Sequence, residues 1–461
     1  MIPVIAHGLG DAADLPLPLP LVLIAAGGAV LGLGTALVRR SDSAATSPRP
    51  ATAVAARPAP GTRSGSRATP GPAVREPAEG RPGMGRRLAL PAWVTILVDE
   101  PLTRAGLRIV GLLGALLVLA LAAFGPVDGQ ANPAPRLVLL VVWAGLVPLS
   151  LVAPGAWRTL SPLRTLTSLL ARMSGDPKEG DVRPLPRGLG WWPAAGALAV
   201  LAVVEGPLRG ELPVLLIFLV AYGLTQVGLA AVYGSRWYGH AEAFEVLAAV
   251  VGRLSPFARG ADGRLELCNP MPRLAAPAPP GAVLVAGILI GSALADFVTD
   301  TPAWSGLALG RTGLAAIGLE TAALACCVAV ATAVAAAAAS ARPLTPALLP
   351  PVTGYLIAHY FAVFLIEGQA GLSQLSAIAQ GGLRTLTTAN LVARYDLLPG
   401  PLAASGQLLG FLVPHLIGVL VGHRLAVTSY GPQRARAAQR PLLGMLAISA
   451  VAGIALRYSA A

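Results

Sequence analysis

The sequence predicts an all-α fold, a polytopic bundle of about ten transmembrane helices with the N-terminus and the C-terminus outside the cell. Of its 461 residues, 55% are apolar and 12% are charged, whereas a soluble globular domain carries about 25% charged residues. Apolar runs of about 20 residues recur along the chain, and this length crosses a hydrocarbon core about 30 Å thick. Spans of this length are helical because lipid-exposed backbone must satisfy its own hydrogen bonds.

The apolar runs define the predicted spans in order. They cover residues 17–38, 105–124, 136–152, 191–205, 212–232, 280–298, 313–340, 346–367, 404–423 and 441–457. The runs at 136–152 and 191–205 are short for a membrane span. Each is therefore expected to tilt little or to belong to a discontinuous helix pair.

The basic residues orient the predicted spans. Of the 34 Lys and Arg residues, 28 lie in one set of alternate gaps between the runs and six lie in the other set. The positive-inside rule assigns the Arg-rich gaps to the cytoplasm, so ten crossings leave both termini outside. The expected localisation is the plasma membrane, as a multi-pass protein. The net charge of +12 lies largely in short loops, so membrane lipid headgroups are the expected counterions and nucleic acid is not an expected partner.

The composition divides the chain into three segments. Residues 1–40 hold an outside N-terminal segment and the first transmembrane helix, and residues 91–461 form the main transmembrane domain. Residues 41–90 are a low-complexity tract rich in Ala, Pro and Arg, which predicts a disordered basic cytoplasmic linker. Two later inner loops, 161–173 and 244–254, place apolar residues on one helical face and are predicted to lie flat at the inner interface.

Ionisable residues inside membrane spans are costly and are therefore candidate functional residues. By depth, the candidates belong to the outer half of the membrane. The central candidates are Asp296, Glu320, His359 and His415. Candidate binding residues near them are Tyr355, Gln407, Glu205 and Gln369. The sequence thus predicts an outward-opening polar cavity.

Two chemistries suit two histidines with two carboxylates. His359, His415 and one of Asp296 or Glu320 are a donor set for a divalent metal such as zinc. The same groups suit a proton relay, because histidine titrates near neutral pH and burial raises the pKa of carboxylates toward it. A separate copper site is expected at His7 if translation starts upstream of Met1 and cleavage leaves His7 as the mature N-terminus, since its amine and ring nitrogen form a chelating pair.

Short motifs along the chain carry a resemblance to a known family. They are His7-Gly8, Asp14-Leu15-Pro16-Leu17-Pro18, Tyr233-Gly234 with Trp237, Gly252-Arg253-Leu254-Ser255-Pro256, Asn269-Pro270, Ala358-His359-Tyr360, and the late pair His415 and His423. Together they resemble a family of bacterial polytopic membrane proteins, common in actinobacteria and often labelled fenitrothion hydrolase. Cys268 stands where the family pattern has Arg, and Pro414 stands where it has Gly. The resemblance implies hydrolysis of organophosphate triesters.

Three functions remain open from the sequence. The first is a membrane-embedded, metal-assisted hydrolase of lipophilic, organophosphate-like esters, in which a metal-bound water attacks and Glu320 or Asp296 acts as the catalytic base. The second is a transporter or permease for a small lipophilic or ionic substrate, in which the same groups bind an ion or relay protons. The third is a non-catalytic subunit that pairs with a membrane protein partner through the small residues of 331–341.

Overall fold

The computed structural model describes residues 12–46, 87–128, 131–175, 183–339, 342–382, 394 and 397–459. Most of the described residues are helical. The helices are α1 (Leu19–Thr46), α2 (Ala92–Asp99), α3 (Pro101–Phe124), α4 (Ala134–Arg136), α5 (Gly145–Val152), α6 (Ala156–Leu160), α7 (Pro162–Met173), α8 (Trp192–Glu205), α9 (Leu212–Tyr233), α10 (Tyr238–Ala241), α11 (Ala243–Gly252), α12 (Met271–Leu274), α13 (Ala282–Thr299), α14 (Pro302–Ala308), α15 (Leu314–Ala338), α16 (Leu349–Gly382) and α17 (Gly400–Ser459). Three short strands are β1 (Leu88–Ala89), β2 (Phe257–Arg259) and β3 (Leu265–Leu267).

The helices coincide with the predicted apolar runs to within a few residues at most ends. Among the described residues, six helical segments are long and apolar enough to cross a membrane. They are Leu19–Ser41, Pro101–Phe124, Leu212–Tyr233, Ala282–Thr299, Leu314–Ala338 and Gly400–Ser459. In α3, only 6% of the apolar window is buried by the rest of the protein, which leaves its Leu and Val side chains to face lipid. Their length and composition indicate an integral membrane protein with a helical fold.

Several helices depart from a single straight span. The run predicted at 136–152 is divided into α4, a π-helical segment over Leu137–Ala144, and α5. Helix α17 is broken at Gly431, whose φ of 74° lies in the left-handed region that residues other than glycine rarely adopt. The break separates the two apolar runs predicted at 404–423 and 441–457. Helix α16 continues beyond its predicted end at residue 367 to Gly382.

The predicted linker is shorter than residues 41–90 at both ends. Helix α1 extends to Thr46, and β1 pairs antiparallel with β3, which also pairs with β2. Residues 47–86 lie outside the described residues. The sequence did not reveal β1, because a two-residue strand has no periodicity and its partner β3 lies far along the chain.

Ion pairs hold this small sheet against the helices. Asp99, at the end of α2, pairs with Arg259 of β2 at 2.7 Å and also with Arg104 of α3. The hydrogen bond from Arg259 lowers the pKa of the Asp99 carboxyl. The sheet is therefore fixed at the junction of α2 and α3, at the end of the bundle that also carries the Arg-rich loops.

The structure supports one of the two predicted interfacial helices and contradicts the other. In α7, Ser161 accepts a hydrogen bond from the backbone of Arg164, and the apolar side chains of Leu169, Leu170 and Met173 are exposed. In α11, by contrast, Val246 and Val250 are both fully buried. The prediction that 244–254 lies flat at the interface is wrong, because eight of the ten residues of α11 are buried and the helix packs inside the bundle against α5, α8 and α16.

Two apolar cores lie side by side in the bundle. The first joins α1, α13, α15, α16 and α17, and includes Val30, Phe297 and Phe411. The second joins α5, α8, α11, α13 and α16, and includes Leu198 and Val352. Helices α13 and α16 contribute to both cores and are therefore the centre of the fold.

Candidate functional site

Asp296 and His359 form a contact between the two central helices. The His359 Nε2 atom lies 3.0 Å from Asp296 Oδ2. Asp296 is in the last turn of α13, and His359 lies about three turns into α16. His359 is 5% exposed, and its ring packs edge-on against Phe297 and Tyr360. A hydrogen bond between two titratable groups therefore links α13 to α16 within apolar surroundings.

Further charged groups surround this pair. The Arg209 guanidinium lies 3.7 Å from Asp296 Oδ1, and its Nε atom donates to the backbone carbonyl of Glu205 at 2.8 Å. Glu205 and Glu320 each interact electrostatically with Arg209 and Asp296. We name this set, together with Asp300, the carboxylate–histidine cluster; it comprises Glu205, Arg209, Asp296, Asp300, Glu320 and His359.

The cluster forms where several helices end or begin together. Glu205 is the last residue of α8, Asp296 is near the end of α13, and Glu320 is in the second turn of α15. One side-chain oxygen of Glu205, Oε1, is buried with no hydrogen-bond partner. Glu205, Asp296, Glu320 and His359 were all predicted as site residues, and the structure brings them to one end of the bundle.

The sequence prediction missed Asp300, which belongs to the same cluster. Burial raises the pKa of the Asp300 carboxyl to about 6, with Asp296 acting in the same direction and His359 in the opposite one. The available signal was its spacing of four residues from Asp296, which places both carboxyls on one helical face. Asp300 was not recognised because it follows the apolar run and resembles a solvated helix end.

An apolar cavity of about 550 Å³ opens beside the cluster, between α8, α13 and α15. Its lining consists of small and branched side chains with two threonines: Ala199, Ala202, Val203, Leu284, Ile288, Thr321, Leu324, Ala325, Val328, Ala329, Thr332, Ala333 and Ala336. Along α15 the lining runs from Thr321 to Ala336, which spans about 22 Å. Glu320 lies on the same helical face, one turn beyond Leu324. The lining therefore ends within one helical turn of Glu320, and no residue of the carboxylate–histidine cluster is itself a lining residue.

His415 lies in a separate, fully packed group. Its Nδ1 atom is 2.9 Å from the Phe411 carbonyl oxygen, and its Nε2 atom is 3.2 Å from Ser449 Oγ. Tyr355 donates from its hydroxyl to the Ser449 carbonyl oxygen at 2.8 Å and contacts the rings of Phe411 and His415. His415 and Tyr355 are both buried. This group links α16 to both halves of α17, and the predicted pairing of His415 with the carboxylates is not found.

The remaining predicted residues are not members of the cluster, although Arg457, the partner of Gln407, interacts electrostatically with Asp300. Gln407 accepts a hydrogen bond from Arg457 at 3.2 Å. Gln369 bonds the backbone of Leu365 and of Arg394, so its amide is engaged in local structure. His7 lies outside the described residues.

The donor atoms do not fit the predicted metal site. Both ring nitrogens of His415 contact protein oxygen atoms, which leaves no free lone pair directed at the carboxylates. Within the described part of the chain, no group of three or more His, Cys, Asp or Glu residues could hold a metal ion. The copper site predicted at His7 lies outside the described residues. A bound metal and metal-assisted ester hydrolysis both stay predictions, and the hydrolysis rests on the resemblance.

A second buried acidic cluster, at the other end of α9, was not predicted. Glu242 is fully buried and accepts hydrogen bonds from Trp157 Nε1 and the Tyr222 hydroxyl, each at 2.8 Å. Its carboxylate also accepts from the backbone N–H groups that open α11. Burial raises the pKa of Glu242, and the hydrogen bonds oppose this shift. Because the Glu242 side chain accepts from the backbone N–H groups of Phe244 and Glu245, Glu242 is the N-cap of α11.

Glu245 completes this second cluster. Its carboxylate pairs with Arg164 at 2.7 Å and with Arg158 at 3.0 Å. The signal in the sequence was a pair of glutamates three residues apart before an apolar run, a spacing that places the first at a helix N-cap and the second in the first turn. This stretch was predicted to be an inner loop, with 244–254 lying flat at the membrane interface, because the sequence did not show that α11 is buried.

Comparisons with protein-family models, with curated proteins and with solved structures give no match to this chain. The class of protein is therefore defined by the fold and the site. It is a helical integral membrane protein whose central helices are joined by a carboxylate–histidine pair.

Proposed function

We propose that the chain is a ten-span protein of the plasma membrane with both termini outside, and that it acts as a proton-coupled permease. The observation that carries the proposal is the 3.0 Å contact between Asp296 and His359 across the two central helices. The topology rests on the alternation of basic residues, and it assigns the carboxylate–histidine cluster to the outer half of the membrane.

The pair has the chemistry that proton coupling requires. A proton on the His359 ring makes the contact with Asp296 an ion pair, and its loss removes that positive charge while Arg209 stays 3.7 Å from the other carboxylate oxygen of Asp296. Proton binding therefore changes the attraction between α13 and α16. Ionisable groups inside a membrane domain are costly and are used in proton relays of pumps and transporters. Because α13 and α16 belong to both cores, a change in their attraction reaches most of the bundle.

Proton movement in reconstituted vesicles tests the proposal. Purified protein is placed in liposomes that contain a pH-sensitive dye, and a panel of cationic, anionic and neutral lipophilic compounds is added outside. At least one class is expected to drive protons across the membrane with the wild-type protein. Asp296→Asn and His359→Gln are each expected to abolish this flux, because either change removes the carboxylate–imidazole contact between α13 and α16.

Glu211→Gln is the matched control. Glu211 is an exposed carboxylate at the same end of the bundle, just before α9, and its neutralisation is expected to leave the flux unchanged. The proposal fails if wild-type vesicles respond to every compound as protein-free liposomes do. It also fails if the Asp296 and His359 variants transport protons at the wild-type rate.

A further inference from the structure

We infer that the cavity between α8, α13 and α15 binds the apolar body of a lipophilic monovalent cation, whose charge lies against Glu320 and Glu205. This inference rests on the proposed function and names the substrate class of the same site. Three features support it: the size of the cavity, its apolar lining, and the carboxylates at one end.

The cavity suits a small apolar ligand. Its volume of about 550 Å³ lies within the range of about 300–1,000 Å³ that is typical of small-molecule sites. Eleven of its thirteen lining residues carry alkyl side chains. Ala202 and Val203 contribute from α8, directly below Glu205, and Leu324 contributes from α15, one turn from Glu320. Glu205 and Glu320 are not themselves lining residues, but each lies within one helical turn of one, so the charged group of a ligand that extends one turn beyond the lining meets them.

The charge at this end favours a cation. Three elements contribute carboxylates that interact with one another, Glu205 from α8, Asp296 from α13 and Glu320 from α15. One guanidinium, Arg209, is shared among them. The buried Glu205 Oε1 has no hydrogen-bond partner, and a buried carboxylate in this state is stabilised by a proton or by a cation. An anionic ligand of the same shape would meet like charge.

Protons and the cation compete for the same oxygens. The charged and titratable groups that interact at this end are Glu205 on α8, Arg209 in the loop after it, Asp296 and Asp300 on and after α13, Glu320 and Cys327 on α15, His359 and Tyr360 on α16, and Arg457 on α17. Binding of one cation with release of one proton leaves the net charge of the site unchanged. The affinity for the cation should then fall by about tenfold for each pH unit below the carboxylate pKa.

Binding of tetraphenylphosphonium to the protein in lipid nanodiscs tests this inference directly. Tetraphenylborate is the matched probe, because it has the same shape and the opposite charge. Equilibrium dialysis against empty nanodiscs is expected to show saturable tetraphenylphosphonium binding that weakens at acid pH, and no saturable tetraphenylborate binding. Glu320→Gln is expected to weaken the cation affinity by about tenfold or more.

Paired substitutions on α15 locate the site. Ala329 lines the cavity, and Ala329→Phe is expected to abolish saturable binding by filling it. Val330 is the next residue, is 56% exposed and is not among the lining residues, so Val330→Phe is expected to retain the wild-type affinity. Both positions are exposed, so neither change disturbs a packed core.

Each outcome separates the inference from the proposed function. Equal binding of both probes, pH-independent binding, or equal effects of the two Phe variants would overturn the inference and indicate a cavity occupied by lipid chains. Proton flux driven by another compound class, without saturable tetraphenylphosphonium binding, would support the permease function and rule out lipophilic cations as its substrates. Saturable tetraphenylphosphonium binding without any coupled proton flux would support the binding site and rule out the permease function.

Discussion

At the scale of single residues, the two acidic clusters differ in how well their hydrogen bonds are satisfied. The Glu242 carboxylate accepts four hydrogen bonds, and the Glu245 carboxylate pairs with two arginines. In the carboxylate–histidine cluster, Glu205 Oε1 is buried without a hydrogen-bond partner. Fully satisfied buried polar groups stabilise a fold, whereas unsatisfied ones mark places where a ligand, ion or proton is expected. The Glu242–Glu245 cluster is therefore structural, and the carboxylate–histidine cluster is the candidate functional site.

The structural role of Glu245 leads to a stability prediction. Arg164→Ala is expected to lower the free energy of unfolding by about 1.5–3 kcal/mol, because it removes two charge-assisted hydrogen bonds from a buried carboxylate. Arg158 pairs with the same group but its side chain is 66% exposed, so Arg158→Ala is expected to cost less than about 1 kcal/mol. Thermal unfolding in detergent measures both. Equal losses would show that Glu245 does not depend on its buried partner.

The raised pKa of Asp300 predicts how the free energy of unfolding depends on pH. Its pKa is about 6 in the folded protein, against 3.8 for the unperturbed group, so the folded state binds the proton more tightly. The free energy of unfolding therefore falls as pH rises from 3.8 to about 6 and levels off above that. Asp300→Asn mimics the protonated form and is expected to raise the melting temperature at neutral pH.

The advantage of Asp300→Asn should shrink toward zero as the pH approaches 3.8. A pH series of melting temperatures for the two proteins checks this, with Glu211→Asp as a conservative change at an exposed carboxyl. A constant difference between Asp300→Asn and the wild type across the series would contradict the raised pKa.

At the scale of elements, α13 and α15 approach so closely that only glycine fits between them. A Cβ atom on Gly287 would lie 2.0 Å from the Thr332 hydroxyl oxygen, and one on Gly291 would lie 2.5 Å from the Val328 Cα atom. These glycines are four residues apart, the spacing that allows close helix packing in membranes. The close approach fixes one wall of the apolar cavity, since Val328 and Thr332 also line it.

Gly291→Leu is therefore expected to force α15 away from α13 and to lower the free energy of unfolding by about 1–3 kcal/mol. Gly318 is the control, because a Cβ atom there meets nothing within 4 Å. Gly318→Leu is expected to leave stability unchanged or raise it, since leucine favours the helix over glycine. Thermal unfolding compares the two, and similar losses at both positions would show that the α13–α15 contact is not tight.

At the scale of the whole molecule, the arrangement of helices explains where a site can form. The two cores share α13 and α16, so a change in the contact between these helices affects packing on both sides. Asp296 and His359 lie in this central pair. The Glu242 cluster lies where α6, α7, α9 and α11 meet, among Arg-rich loops, and it holds the end of the bundle that the proposed topology assigns to the cytoplasm.

Reporter fusions test the proposed topology. Alkaline phosphatase, which is active only outside the cytoplasm, is fused after Asp128, Gly175 or Gly210. Ten spans predict activity after Asp128 and Gly210 and none after Gly175, because the segment Ala134–Val152 and α8 both cross. If the three fusions are all active or all inactive, the three positions lie on the same side of the membrane. The short helices then do not span it, and the ten-span topology is wrong.

Part of the site followed from the sequence, and part did not. Asp296, Glu320, His359 and Glu205 were identified because a charge within an apolar run is conspicuous and the runs set their depth. Asp300 and the Glu242 cluster were missed because they follow or precede the runs, where a charge usually meets water. His415 was assigned to the wrong neighbours because depth specifies a level in the bundle and leaves the direction of the side chain undetermined.

The helical fold and the long apolar helices follow from the sequence, because apolar length is a local property of the chain; the short helices α2, α6, α10, α12 and α14 do not. The contact of Asp296 with His359 and that of His415 with Ser449 appear in the folded protein alone. The tertiary structure also decided that α11 is buried and that a cavity opens between α8, α13 and α15. These outcomes depend on how helices rotate about their axes and on where glycines allow close approach, which are set by contacts between residues distant in the chain.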